Sequence, residues 1–232
     1  MKLCVIGGAG ARSAFLTKSL VKSTRDIRVD HIVLLDNDQQ KLKTYGEISR
    51  ELSRRLDPDL TFEVTSDARA ALTGVDYIIT TIRAGGDAGR LFDEQTCLAH
   101  GVLGQETTGA GGFAMAIRSV PTLVYYCTLA REVANPGHLI FNFTNPSGII
   151  TQALRSKGFD NVYGICDAPS GFIKQLEEIL EIPYGTLDIE CYGLNHLSWF
   201  RNAKVNGRDV QRELLDNPRT YEHSEMRLFT RE

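Results

Sequence analysis

The chain of 232 residues has no surplus of either charge: 26 lysines and arginines stand against 29 aspartates and glutamates, and the two signs are interspersed. Without a basic face, neither nucleic acid nor an anionic membrane surface is a natural partner, which leaves a small molecule as the expected one. The five cysteines, Cys4, Cys97, Cys127, Cys166 and Cys191, lack the paired spacings of a zinc ribbon or a disulfide framework. Such an odd, scattered set suits a reducing cytosol. No apolar run approaches the roughly 20 residues needed to span a bilayer. The apolar start MKLCVIGGAG is too short for a signal-peptide core. Internal repeats and low-complexity tracts are also missing. These absences together predict a soluble, cytoplasmic protein with no membrane partner.

What the chain does have is a core-forming hydrophobic content of 42% and a regular alternation of strand-like and helix-like stretches. The apolar run Lys2–Ile6 leads into Gly7, Gly8, Ala9 and Gly10, then a helical pattern from about Arg12 to Lys22. A strand at His31–Leu35 ends in Asp36. A long amphipathic stretch from Gln39 to Leu56 follows, with Asp38 as its cap and Asp57-Pro58 as its stop. Strands at Thr61–Thr65 and Tyr77–Ile82 flank a short helix, Asp67–Leu72. Further on come a helix from Leu91 to His100, a polar loop from Gly101 to Gly112, and a long helix from Phe113 to Val133 with Pro121 near a kink. Strands within LIFNFTNPSG and NVYGICDAPSG come next, then a helix to Leu180, a strand at Leu187–Leu194, and a charged, helix-prone tail from Arg208 to Glu232. The pattern predicts an α/β fold: a Rossmann-like, doubly wound, mostly parallel sheet over residues 1–185, and the start of a second α+β domain over 186–232.

In such a sheet, ligands bind at the carboxyl ends of the strands. The Gly7-Gly8-Ala9-Gly10 turn would let backbone N–H groups and a helix N-terminus approach a pyrophosphate, although Ser13 stands where a third glycine would complete the motif. Asp36, at the end of the next strand, can accept hydrogen bonds from ribose hydroxyls, favouring NAD over NADP. The competing reading is a tight turn and a helix cap. Cys166 and His196 offer a thiolate and an imidazole to a borderline divalent ion. Taken alone, they are equally a core cysteine and a satisfied structural histidine, and Asp167 before Ala-Pro is equally a turn residue. Residue chemistry leaves these alternatives open.

The motifs IGGAG, DND, RAGG, GQETTGAGG, TNPSG, GICDAP and YGLNHLSW occur in this order along essentially the whole chain. In this the sequence resembles glycoside hydrolase family 4, whose members are glycosidases that use NAD and a divalent metal, commonly manganese. These NAD-dependent glycosidases stand apart from the usual two-carboxylate mechanism. The resemblance implies a fold like that of the lactate and malate dehydrogenases. It also implies oxidation of the sugar at C3 by NAD, removal of the C2 proton, elimination of the C1 leaving group, addition of water, and return of the hydride. Gly7, Gly8, Gly10, Asp36 and Arg83 fall to the cofactor, Cys166 and His196 to the metal, and Arg90 and Asn145 to the substrate. Asp167 is implied as proton donor to the leaving group, a task that needs burial to hold it protonated. Glu106 is implied as the residue that raises the basicity of the catalytic base.

That base is a tyrosine in the family, in a segment after GLNH that this sequence lacks. Tyr221 has no matching surroundings and is not assigned, so the base is expected beyond residue 232. The ending at LFTRE has no capping residue, and the expectation is a fragment of a longer, homo-oligomeric enzyme acting on a phosphorylated disaccharide or glucoside. The longer motifs look most like the 6-phospho-β-glucosidase branch. The Cys-Asp pair points to 6-phospho-α-glucosidases instead, and α-galactosidase and α-glucuronidase types are further alternatives within the family. Outside it stand a lactate- or malate-type dehydrogenase, for which no paired catalytic His and Asp is found, and a non-catalytic NAD- or sugar-binding module.

Overall fold

A computed structural model of the chain describes residues 1–222. The elements run β1 (Lys2–Ile6), α1 (Ser13–Ile27), β2 (His31–Leu35), α2 (Gln39–Lys41), a π-helical turn (Leu42–Gly46), α3 (Glu47–Leu56), β3 (Thr61–Thr65), α4 (Ala68–Leu72) and β4 (Tyr77–Thr80). They continue with α5 (Gly86–Ala99), α6 (Gly109–Val133), β5 (Leu139–Asn142), α7 (Ser147–Ser156) and β6 (Val162–Gly164). The remainder is α8 (Ala168–Leu180), β7 (Leu187–Leu194), β8 (Leu197–Val205), β9 (Arg208–Asp209), α9 (Gln211–Asp216) and α10 (Pro218–Glu222). Two compact units result, Met1–Ile165 and Cys166–Glu232.

The first unit holds a six-stranded sheet in the order β3-β2-β1-β4-β5-β6. Every pairing in it is parallel. Parallel neighbours need crossover connections, and the intervening helices supply them. Side chains alternate across a strand, so β1, β2 and β4 each feed two cores. Cys4, Ile6, Val33 and Leu35 join Leu123, Cys127 and Ala130 of α6 and Ile150 and Leu154 of α7 on one face. Leu3, Val5, Ile32 and Leu34 join Leu20 and Val21 of α1 on the other. Strand order reverses between β1 and β4, the switch point at which a ligand crevice opens in this class of sheet.

The capping aspartates behave as their chemistry predicts. Asp38 accepts from the Lys41 N–H at 3.0 Å and Asp67 from the Ala70 N–H at 3.0 Å. Several boundaries differ from the sequence pattern. Helix α1 extends to Ile27, β4 stops at Thr80, and α5 and α6 begin earlier than expected, at Gly86 and Gly109. Pro121 lies inside α6, which is continuous over 25 residues. Among the described residues, α6 is long and apolar enough to cross a membrane by length and composition, although no unbroken apolar run reaches that length. In this unit it covers the sheet, with Leu123 and Ala130 fully buried.

The second unit is a three-stranded antiparallel sheet, β7-β8-β9, with helices against it. The division falls at Ile165/Cys166, earlier than the 185/186 boundary read from the sequence. Leu176 and Ile179 of α8 share a core with Leu187, Ala203, Val210 and Leu214, so the helix belongs with the strands that follow it. Phe172 stacks on Phe200 with ring centroids 5.1 Å apart. Buried Glu177 accepts from the backbone N–H groups of Thr186 and Leu187 at 2.9 and 3.0 Å. The sequence pattern gave no sign of β8. The tail read as helix-prone is instead β9 and two short helices up to Glu222, and residues 223–232 lie outside the described residues.

Candidate functional site

The glycine turn sits at the carboxyl end of β1. Gly7 and Gly8 donate backbone N–H bonds to the Leu35 carbonyl at 2.8 and 3.0 Å, tying the turn to β2. Gly7 has φ +83°, and a Cβ there would lie 2.8 Å from the Thr81 backbone, so both conformation and space require glycine. At Gly10, by contrast, a Cβ would meet nothing within 4 Å. The turn leads into α1, which begins at Ser13, where a phosphate would find helix N–H groups. Asp36 accepts from the Ala9 N–H at 3.1 Å through one carboxylate oxygen and from the Asp38 N–H at 3.0 Å through the other. Each oxygen keeps lone-pair capacity for a further donor such as a ribose hydroxyl. The turn and the carboxylate fit a dinucleotide.

A second cluster gathers four of the residues singled out from the sequence. The Arg83 guanidinium donates to Glu106 Oε2 at 2.6 Å, Arg90 Nη1 lies 3.5 Å from the same oxygen, and Asn145 Nδ2 donates to Oε1 at 3.4 Å. Burial works against charge on Glu106. The hydrogen bond and charge of Arg83, the charge of Arg90 and the Asn145 amide outweigh it and hold the carboxyl below its usual range. Arg83, grouped by resemblance with the cofactor residues, meets Glu106 here. Arg90 also donates to Glu94 at 2.7 Å.

Buried polar groups shape the turn that carries Asn145. Asn142, fully buried, accepts from the Thr80 hydroxyl at 2.8 Å and the Thr144 N–H at 3.2 Å, and donates to Thr151 Oγ1 at 3.2 Å. The Thr144 hydroxyl in turn accepts from the Ile82 N–H at 3.1 Å. Within GQETTGAGG, the Gln105 side chain braces the turn that leads into α6 by accepting from the N–H groups of Thr107 and Thr108 at 2.5 and 2.7 Å.

The second unit brings Cys166, Asp167 and His196 together. Cys166 opens the unit, Asp167 immediately precedes α8 without a side-chain capping bond, and His196 occupies the tight turn between β7 and β8 with φ +60°. The Cys166 Sγ to His196 Nε2 separation is 3.6 Å, and Asp167 Oδ1 lies 4.0 Å from the sulfur. A metal bound at ~2.3 Å by sulfur and ~2.1 Å by nitrogen, near a tetrahedral angle, places those two atoms about 3.6 Å apart, so the pair fits a first-row divalent ion. Among the described residues no cluster of three such donors occurs. A metal held by this pair alone would leave positions open to substrate oxygens. Asp167 is exposed.

Sequence reasoning passed over two groups. Thr81 donates its hydroxyl to the Gly7 carbonyl at 3.0 Å, locking the glycine turn to the end of β4. Arg118, in the middle of α6, forms a two-pronged ion pair with Asp93, only 7% exposed, on α5. A charge within so apolar a helix is the signal that could have found it.

The model of a family described as Family 4 glycosyl hydrolase matches residues 2–182. The 6-phospho-beta-glucosidase BglT of Thermotoga maritima is 35% identical over 219 residues, covering 94% of this chain and 51% of the relative. A structure of the 6-phospho-beta glucosidase from Thermotoga maritima with manganese, NAD+ and glucose-6-phosphate superposes with a TM-score of 0.87 at 33% identity, over 96% of this chain and 54% of that one. A 6-phospho-alpha-glucosidase from gut microorganisms, in complex with NAD and glucose-6-phosphate, gives 0.89 at 30% identity, over 95% and 52%. Likeness of fold alone extends to a malate dehydrogenase from Salinibacter ruber, with a TM-score of 0.66 at 19% identity over 96% of this chain and 64% of that one. The chain spans about half the length of the curated relatives it matches, such as 51% of BglT.

Proposed function

We propose a function from one premise: the chain belongs to the family 4 glycosyl hydrolases. It carries the nucleotide, metal and sugar-phosphate residues of a glycosidase that hydrolyses 6-phospho-β-glucosides. The observation that carries this reading is the 3.6 Å pairing of Cys166 with His196, a donor pair that a lactate- or malate-type dehydrogenase does not need. When bound, NAD supplies a hydride acceptor and a divalent ion such as manganese supplies an electrophile toward sugar oxygens.

The chain's own residues would then divide the work. Gly7, Gly8 and Gly10 seat the dinucleotide and Asp36 holds its ribose. Arg83, Arg90 and Asn145 orient the phosphosugar beside Glu106, whose ionised carboxylate raises the basicity of a neighbouring proton-abstracting group through its negative charge. Asp167 gives a proton to the leaving group once substrate covers it, because its carboxyl is exposed without one. Five free cysteines agree with a reducing, cytoplasmic setting.

The α-anomer activity is the alternative, favoured by the adjacency of Cys166 and Asp167. Both anomers of a chromogenic 6-phosphoglucoside, offered with NAD and manganese, decide between them. Cleavage of the β anomer is the expected result, and cleavage of the α anomer with the β anomer untouched overturns it. In heavy water the released sugar should carry deuterium at C2, and a product without it would sink the elimination route.

A further inference from the structure

Arg83 and Arg90 meet Glu106 from the two ends of a segment made of Ala84, Gly85 and the first turn of α5, and something must fix that segment. Arg118 of α6 reaches into it. Its Nε donates to the Ala84 carbonyl at 3.3 Å, Nη1 donates to Asp93 Oδ1 at 2.9 Å, and Nη2 bonds Asp93 Oδ2. The same guanidinium lies against two glycines: a Cβ on Gly85 would sit 3.0 Å from Arg118 Nε and one on Gly89 3.4 Å from it. The glycines of RAGG and of the following turn therefore leave the volume that the guanidinium fills. One planar group joins three pieces, the loop backbone after Arg83, the helix that carries Arg90, and α6. Its fork geometry suits this in a way that a lysine ammonium would not.

We propose that Arg118, paired with Asp93, is a positioning residue for the sugar-phosphate pocket: it acts through the loop and α5 to fix where the Arg83 and Arg90 guanidiniums stand against Glu106. The proposal rests on the function proposed above only for what the pocket binds. The placement of the two arginines is a property of the unit itself. Their effect on Glu106, which they hold ionised below the usual carboxylate range, gives a readout independent of any sugar.

The test follows the Glu106 carboxyl by carbon NMR, assigned with E106Q, in the wild-type chain, in R118K, and in the double variant R118M/D93N. The double variant leaves no buried charge unpaired and so guards against simple misfolding. If Arg118 positions the arginines, R118M/D93N raises the proton affinity of Glu106 about tenfold, which is one pKa unit. R118K fails to restore it, while NAD affinity stays within about twofold of wild type. Glucose-6-phosphate binding with NAD and manganese present, measured by calorimetry, weakens in parallel. An unchanged Glu106 titration in a folded R118M/D93N overturns the proposal. The Glu106 response in R118M/D93N, together with a wild-type chain that binds no glucose-6-phosphate, sinks the phosphosugar reading instead and leaves the positioning role standing.

Discussion

The two units hold their candidate chemistry in opposite ways. In Met1–Ile165 the functional groups already have protein partners: Asp36 is bonded to the backbone of its own turn, Glu106 is surrounded by two arginines and an amide, and the Asn145 turn rests on the buried Asn142 network. In the second unit, Cys166, Asp167 and His196 stand at a helix N-terminus and a hairpin tip, with the thiol and imidazole facing each other at 3.6 Å. A site that binds a dinucleotide and a phosphate can be built in advance, because hydrogen-bond donors and cations satisfy one another until a ligand replaces them. A two-donor metal site acquires its purpose only when the ion arrives and substrate fills the remaining positions. Changes to the first-unit groups should therefore register in the protein alone, and changes to Cys166 and His196 most strongly with metal present.

Gly7→Ala should have the largest effect on the first unit. It adds a Cβ 2.8 Å from the Thr81 backbone at φ +83°, and the expected loss is about 1–3 kcal/mol of stability together with NAD affinity. Thermal melting and NAD titration check it, and a variant as stable as wild type would show that the turn is not preformed. Glu106→Gln sharpens the comparison through pH. Because the carboxyl is held below its ordinary range, its contribution to stability is fully present above the unfolded value and is lost as pH falls through the depressed folded one. The melting temperature of the variant should fall less steeply than that of wild type on acidification through that range, and parallel curves would contradict the charged-cluster account. The smallest effect is chemical. Burial pushes the Cys4 and Cys127 thiols up to about 12, so a thiol reagent should pass them by in the folded chain. Cys166 should react, and manganese should slow it.

The fold was largely legible because parallel strands are buried on both faces and read as compact apolar runs. β1 and β2 lie where those runs place them, and β3, the partly exposed edge strand, also matches its expected range. Helix starts were harder to read. The first turns of α5 and α6 are rich in glycine, which argues against helix on propensity alone. Tertiary contact explains the residues: a Cβ on Gly111 would lie 2.5 Å from the Gln105 carbonyl oxygen, and one on Gly112 would collide with Thr107. β8 was invisible because its polar and exposed positions match a half-covered hairpin rather than a core strand.

Site residues divide along the same line. Asp36 and the glycine turn carry their own physical argument. The meeting of Arg83 and Arg90 with Glu106 and Asn145 joins three separate stretches of chain, which no local pattern reveals. Asp93 was missed for the same reason, and Arg118, although a charge within an apolar helix, shows no partner until α5 and α6 are packed together.

Cobalt titration of the chain, followed by absorption, tests the metal pair most directly. Thiolate and imidazole bound to one ion should give a thiolate-to-cobalt charge-transfer band that saturates at one equivalent. Removing either donor, in C166S or H196A, should abolish the band or weaken affinity by about 100-fold or more, since even outer-shell partners of metal ligands cost 10–100-fold, while NAD affinity stays unchanged. A band that survives both substitutions, or none in the wild-type chain, would contradict the assignment of Cys166 and His196 as the metal-binding pair.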